Sequence, residues 1–163
     1  MITYFVPGLR PDDTPSAVNS IARAWFSASL TSPLLFHALA YAGSNHRDFM
    51  RRSQASPNST ETLSHKLRVL QLLPKMLGNG AEPPSDEVIL SITLIADATV
   101  DNTNSSGGRR NPFNSPLPSL RWQDVYGNAT MIPEHQNALL KILTLRGGVD
   151  NFELPGLVDT YTG

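Results

Sequence analysis

The chain has 163 residues, of which 40% are apolar and 17% charged, and its formal net charge is −1. This length suits a single domain with one sizeable core, and the balanced charge argues against the basic surface of a bare nucleic-acid-binding protein. Cysteine is absent, which excludes disulfides, thiolate nucleophiles and every zinc site that needs sulfur ligands.

The N-terminal stretch MITYFVPGLRPDD has a short apolar patch, which is broken by Pro7 and followed by acidic residues. It lacks the basic start and the longer apolar run of a signal peptide. The apolar stretches elsewhere are too short and too interrupted to span a bilayer. We therefore expect neither an export signal nor a membrane span.

Two Thr/Ser-Pro pairs predict where the first two helices start, because such pairs supply an N-cap and a proline in the first turn. The first pair is Thr14-Pro15, and the second is Ser32-Pro33. Behind the second pair, PLLFHALAYAG is apolar on nearly every side, so we expect this helix to be buried against several partners. Behind the first, helical spacing predicts one apolar face, which comprises Val18, Ile21, Ala22, Trp25 and Phe26.

The segment NSTETLSHKLRVLQLLPKML has the clearest amphipathic pattern in the chain. Ser59 or Thr60 would cap this third helix. Pro74 is expected to kink the helix or to end it about a turn early. Leucines at steps of four, three, three and four predict the face by which the helix packs, namely Leu63, Leu67, Leu70, Leu73 and Leu77.

The second half of the chain predicts two more helices on either side of a long loop at residues 101–119. The run VILSITLIADATV is rich in β-branched residues and would also suit a buried strand. A helix is preferred, because Ser85-Asp86-Glu87 places acids at its start and no other strand is predicted to pair with it.

The fifth helix starts at Pro133-Glu134 and stops at Gly147-Gly148, and a further helix is predicted from Pro155. A broad apolar face is expected on the fifth helix, comprising Leu139, Leu140, Ile142, Leu143 and Leu145. The fold class is therefore all-α: an irregular array of about five or six helices in a single domain that spans residues 1–163.

The four histidines do not form a metal pair on one helix, since none of the spacings among His37, His46, His65 and His135 is three or four. His37 is expected to be a buried, hydrogen-bonded side chain. His65 is expected on the polar face of the third helix. We predict that no metal and no cofactor is bound.

Catalytic patterns are also missing, because the chain has no Gly-x-Ser-x-Gly elbow and no convergent set of carboxylates. Asp86 and Glu87 are interpreted as ordinary charges at a helix N-terminus. Asp97 follows an apolar run and is expected to make a structural hydrogen bond. The sequence thus predicts no catalytic residue and a protein that is not an enzyme.

The phrase LRGGVDNFELPGL invites comparison with a glycine-rich anion loop, but its glycines follow a helix. They face the carbonyl end, whose partial negative charge repels anions. Glycine just past a helix supplies a left-handed cap instead. We therefore interpret Gly147-Gly148 as a helix stop, after which Phe152 and Leu154 fold back onto the core.

Four segments follow one another along the chain: SPLLFHALAYAGSNHRDFMRR, LSHKLRVLQLLPKML, DEVILSITLIA and LRGGVDNFELPGL. Their order and punctuation resemble the fungal-specific transcription factor family, in which an all-helical regulatory domain usually lies C-terminal to a zinc binuclear cluster. The resemblance covers roughly Thr31 to Gly163. The family's regulatory domain is commonly longer, so the resemblance implies a short paralogue or the front part of a larger domain.

The zinc cluster of that family needs six cysteines, which this chain lacks. The resemblance therefore implies a nuclear regulatory or interaction module that does not bind DNA directly, with a cytoplasmic location as the alternative. It would act through a protein partner, self-association or a small-molecule effector. An inter-helix pocket for such an effector would be lined by Trp25, Phe36, Tyr41 and Trp122. The alternative function is a stand-alone helical structural protein or a truncated, non-functional remnant of the family.

Overall fold

The computed structural model describes residues 15–51, 59–78, 82–96 and 133–162, and the predictions for residues 97–132 lie outside this part. The described residues form an all-α structure, as predicted, and contain no strand. A 3₁₀ turn at Val149–Asn151 lies between the last two helices. The helices are α1 Pro15–Thr31, α2 Pro33–Arg51, α3 Thr60–Leu77, α4 Asp86–Ala96, α5 Pro133–Arg146 and the four-residue α6 Asp159–Thr162.

Helix α2 lies at the centre and packs against α1, α3 and α4. Its side chains Leu34, Leu35, Ala38 and Tyr41 are almost completely buried. This confirms the expectation that an apolar run on every side of a helix needs several partners. The predicted starts of α1 and α2 at prolines 15 and 33 are confirmed as well.

Helix α4 confirms the choice of a buried helix over a strand. Every side chain from residue 88 to residue 96 is buried. Its two hydroxyls are satisfied within the helix, since Ser91 donates to the Glu87 carbonyl and Thr93 donates to the Ile89 carbonyl, each one turn earlier. Such local bonds let polar side chains enter an apolar interior without a lost hydrogen bond.

Helix α3 forms where it was predicted, but the leucine stripe is not the face by which it packs. Thr62 and Val69 are fully buried, whereas Leu63, Leu67 and Leu70 are 50%, 56% and 51% exposed. The lower leucines at 73 and 77 are partly buried against the core. Of the two outcomes expected of Pro74, the early helix end is wrong, because α3 continues to Leu77, and the kink stays a prediction.

A buried carboxylate sets the rotation of α3. Asp48 of α2 accepts hydrogen bonds from the Ser59 backbone N–H at 2.9 Å and from the Thr62 hydroxyl at 2.7 Å. The Ser59 side chain caps the helix by accepting from the Thr62 N–H. Thr62 must therefore face α2. Each residue turns a helix by about 100°, so Leu63, one position after Thr62, faces outward, and so does Leu70, one position after the buried Val69.

The glycines after α5 confirm the predicted helix stop. Gly147 and Gly148 adopt φ angles of 84° and 104°, a region that favours glycine. The Gly148 N–H donates to the Leu143 carbonyl at 2.9 Å, and the Gly147 N–H donates to the Thr144 carbonyl at 3.1 Å. These two bonds form a Schellman motif, which satisfies carbonyls at the end of the helix.

Two predictions in the C-terminal part need correction. The apolar face of α5 is narrower than expected, because Leu139 is buried while Leu140 and Leu145 are more than half exposed. Pro155 begins a turn, and the next helix starts only at Asp159. Gly156 has a φ of 79°, which an α-helix does not allow, and it lies against Ile21 of α1 with no room for a Cβ atom.

Candidate functional site

The four residues predicted to line an inter-helix pocket have different surroundings. Trp25 and Tyr41 belong to the same buried core. Phe36 is 48% exposed and lies five positions before Tyr41 on α2, so the two rings leave the helix in different directions. Trp122 lies outside the described residues. The pocket stays a prediction, with two of its residues in the core and one at the surface.

Polar contacts hold the two buried rings in place. The Trp25 indole N–H donates to the Pro155 carbonyl at 2.8 Å, which ties α1 to the C-terminal turn. The Tyr41 ring lies 5.6 Å from the Lys66 ammonium, a cation–π contact between α2 and α3. Burial raises the pKa of Tyr41 above its ordinary value, so its hydroxyl stays protonated at neutral pH.

The outward face of α3 carries more exposed large apolar side chains at regular helical spacing than any other described helix. We call Leu63, Leu67 and Leu70 the leucine row, because they lie on one side of α3 at spacings of four and three. Each is about half exposed. A row of this length and spacing has the form of a helix-in-groove or helix-on-helix contact.

Positive charge borders the leucine row on both sides. Lys66 lies between the row and the buried face of α3, and Arg68 and Lys75 lie along the outer edge. The one acidic residue of α3, Glu61, is bound by Arg47 of α2 at 2.7 Å. That hydrogen bond, and the attraction of the Arg47 charge, lower the pKa of Glu61 and keep the pair ionised.

A pair of histidines joins α2 and α3 on the other flank of α3. The Nδ1 atoms of His37 and His65 are 2.9 Å apart, and the Phe36 ring meets both imidazoles edge-on at 5.3 and 6.5 Å. His37 is thus half-buried and hydrogen-bonded to His65, the residue that is predicted to lie on the polar face of α3. Helical spacing cannot reveal the pair, because its members lie on different helices.

Asp86 has a larger role than an ordinary N-terminal charge, which corrects the sequence interpretation. Its Oδ2 accepts from the backbone N–H groups of Glu153 and Leu154, both at 2.7 Å, and its Oδ1 pairs with the Arg146 guanidinium. Arg146 also packs its guanidinium 5.6 Å from the Phe152 ring centroid. We call this cluster the Asp86 anchor, because its contacts fix the C-terminal segment on α4.

The described residues offer little basis for metal or membrane chemistry. No group of three His, Cys, Asp or Glu side chains in the four described ranges could hold a metal ion. None of the described helices is both long enough and apolar enough to cross a bilayer. His46 is half-buried near the end of α2, and burial lowers its pKa.

Comparisons with known proteins add no relative to these observations: no family model, no curated protein and no solved structure matches the chain.

Proposed function

We propose that this chain is a regulatory interaction module, which acts by binding a protein helix rather than by catalysis. The carrying observation is the outward rotation of α3, which leaves Leu63, Leu67 and Leu70 half exposed beside a fully buried Val69. The resemblance to the fungal-specific transcription factor family supports a regulatory role in the nucleus, with DNA contact left to another protein.

The partner we propose is an amphipathic helix with acidic flanks. Apolar side chains of such a helix would cover the leucine row, and its carboxylates would meet Lys66, Arg68 and Lys75. A second copy of α3 suits the row less well, because the same three cations would face their own kind. Complementary charge thus favours a different, acidic protein over self-association.

The Asp48 contacts suit α3 to such a role. They fix the helix rotation from its first turn, so the leucine row is presented without a rearrangement on binding. A preorganised surface loses less entropy when a partner docks. The apolar area of three half-exposed leucines is small, which fits a reversible regulatory contact rather than a permanent one.

The test uses the full chain and a labelled synthetic helix of about 20 residues, with leucines at positions i, i+3, i+4 and i+7 and glutamates beside them. Fluorescence anisotropy should show binding that weakens as salt is raised. Leu67→Ser should weaken binding about tenfold, or about 1.4 kcal/mol. Leu145→Ser on α5 is the matched control, since it removes an exposed leucine outside the row.

Charge is tested by a second peptide in which lysine replaces every glutamate. We expect this peptide not to bind, because it meets Lys66, Arg68 and Lys75 with like charge. If both peptides bind equally, or if Leu67→Ser and Leu145→Ser have equal effects, the proposed surface is wrong. Unchanged circular dichroism spectra of both variants would show that the fold is intact.

The regulatory part is tested separately by fusing the chain to an unrelated DNA-binding domain in a fungal reporter strain. A change of reporter output that is lost in Leu67→Ser would support a transcriptional role. Peptide binding without any reporter change would instead favour the stand-alone structural protein.

A further inference from the structure

The contact between His37 of α2 and His65 of α3 depends on how many protons the two imidazole rings carry. The two Nδ1 atoms lie 2.9 Å apart, so one Nδ1–H donates a hydrogen bond and the other Nδ1 accepts it. The bond exists when both rings are neutral, and it also exists when they share one additional proton. When both rings are imidazolium ions, both Nδ1 atoms are donors and no acceptor remains between them.

The surroundings disfavour the second proton. The apolar Phe36 ring lies roughly perpendicular to both imidazoles, with its centroid 5.3 Å from that of His37 and 6.5 Å from that of His65. Burial first, and then the positive charges of His65 and Arg68, lower the pKa of His37. Glu61, the one carboxylate on α3, interacts electrostatically with His65, but it forms its ion pair with Arg47 of α2. Lys66, the next residue on α3, is directed over the Tyr41 ring.

A metal ion is a weaker occupant of this site than a proton. Two imidazole nitrogens supply two ligands, whereas zinc sites use at least three protein ligands. No third metal-binding side chain in the described ranges completes the set. The positive charge of the Arg68 guanidinium lowers the pKa of His37, and it would repel a metal cation as well.

We propose that the His37–His65 contact is a proton-sensitive latch between α2 and α3, closed at neutral pH and opened in mild acid when both rings are protonated. This inference is independent of the leucine row, which lies on the opposite flank of α3. The latch joins the second turns of the two helices, while the Asp48 contacts join the end of α2 to the start of α3.

The direction of the pH effect follows from the lowered pKa of His37. The fold prefers neutral His37, so the stabilisation is complete above the ordinary histidine pKa of 6.5. The first proton leaves the bond in place, so the stabilisation is lost only when the pH falls far enough for the pair to take up a second proton. The α2–α3 packing is therefore expected to loosen in mild acid and to be tight at neutral pH.

The first measurement is an NMR titration of the full chain with ¹⁵N-labelled imidazoles. At neutral pH one ring of the pair should carry its proton on Nδ1 and donate the hydrogen bond. The other ring should have an unprotonated Nδ1 that accepts this bond. His65→Gln should raise the pKa of His37 toward 6.5. Identical titration of His37 with and without His65 would overturn the latch.

The second measurement follows the helices themselves. Because the chain has no cysteine, Ala40→Cys on α2 and Ser64→Cys on α3 can carry a unique pair of spin labels. The label distance distribution should broaden in acid, and in His65→Gln it should be equally broad at both pH values. His37→Gln should behave like His65→Gln, and unchanged circular dichroism spectra of both variants would show that the fold is intact.

Two controls distinguish the latch from other sources of pH dependence. His46→Gln should keep the acid-induced broadening, since His46 also has a lowered pKa but is not part of the pair. Zinc chloride at neutral pH should leave the distance distribution unchanged. A zinc-dependent narrowing that disappears in His65→Gln would overturn the proton assignment in favour of a metal site.

Discussion

Asp86 shows how one buried carboxylate can decide where a distant segment lies. Its side chain is 8% exposed, and it receives two backbone N–H groups and the Arg146 guanidinium. A buried charge of this kind is tolerable only while every partner is present. The Leu-Arg-Gly-Gly phrase therefore contributes twice: its glycines end α5, and its arginine holds the following chain against α4.

Asp86→Asn should destabilise the protein by about 3–5 kcal/mol, because the buried Arg146 charge then has no counter-charge. The measurement is urea unfolding followed by circular dichroism. Glu87→Gln is the matched control: it removes a neighbouring charge from the same helix turn, and about 0.5 kcal/mol is expected. Equal losses from the two variants would show that Asp86 acts only through the helix dipole.

At the scale of the element, α3 shows that a helix and its rotation are separate questions. The polar Thr62 is buried because Asp48 accepts a hydrogen bond from its hydroxyl, and the apolar Leu63 is exposed as a consequence. A hydrogen bond between side chains that are distant in the sequence thus outweighs the simplest placement of the leucines.

This rotation gives a direct mutational test. Thr62→Val should cost about 1–3 kcal/mol, because Asp48 loses a donor inside the protein. Leu63→Ala should cost less than about 1 kcal/mol, because that side chain is already half in water. The leucine-stripe prediction requires the reverse order. Urea unfolding of the two variants at one pH decides between them.

The same contrast explains what could be read from the sequence. The starts of α1, α2, α4 and α5 and the stop of α5 were predictable, since they depend on prolines, caps and glycines within a few residues. The rotation of α3 was not predictable. A face through Val69 and a face through Leu70 are offset by a single residue, so the apolar pattern of the sequence does not say which of them is buried. The His37–His65 pair and the Asp86 anchor join different elements, and neither leaves a local pattern.

At the scale of the whole molecule, the charge distribution matters more than its sum. The formal net charge is −1, yet α3 after its first turn carries Lys66, Arg68 and Lys75 and no carboxylate. Two copies that meet through the leucine row would bring these cations together. An acidic partner would gain from the same arrangement, so salt should act on the two associations with opposite sign.

Sedimentation velocity can measure that difference on the full chain. At about 0.05 M salt we expect a monomer, because repulsion between the cations keeps two leucine rows apart. At about 0.5 M salt the repulsion is screened, and self-association through the row should increase while binding of the acidic peptide decreases. Leu67→Ser should abolish the high-salt association, and Leu145→Ser should leave it unchanged. A Leu67-dependent dimer at low salt would instead identify a second copy as the natural occupant, since the apolar contact would then outweigh the charge that borders it.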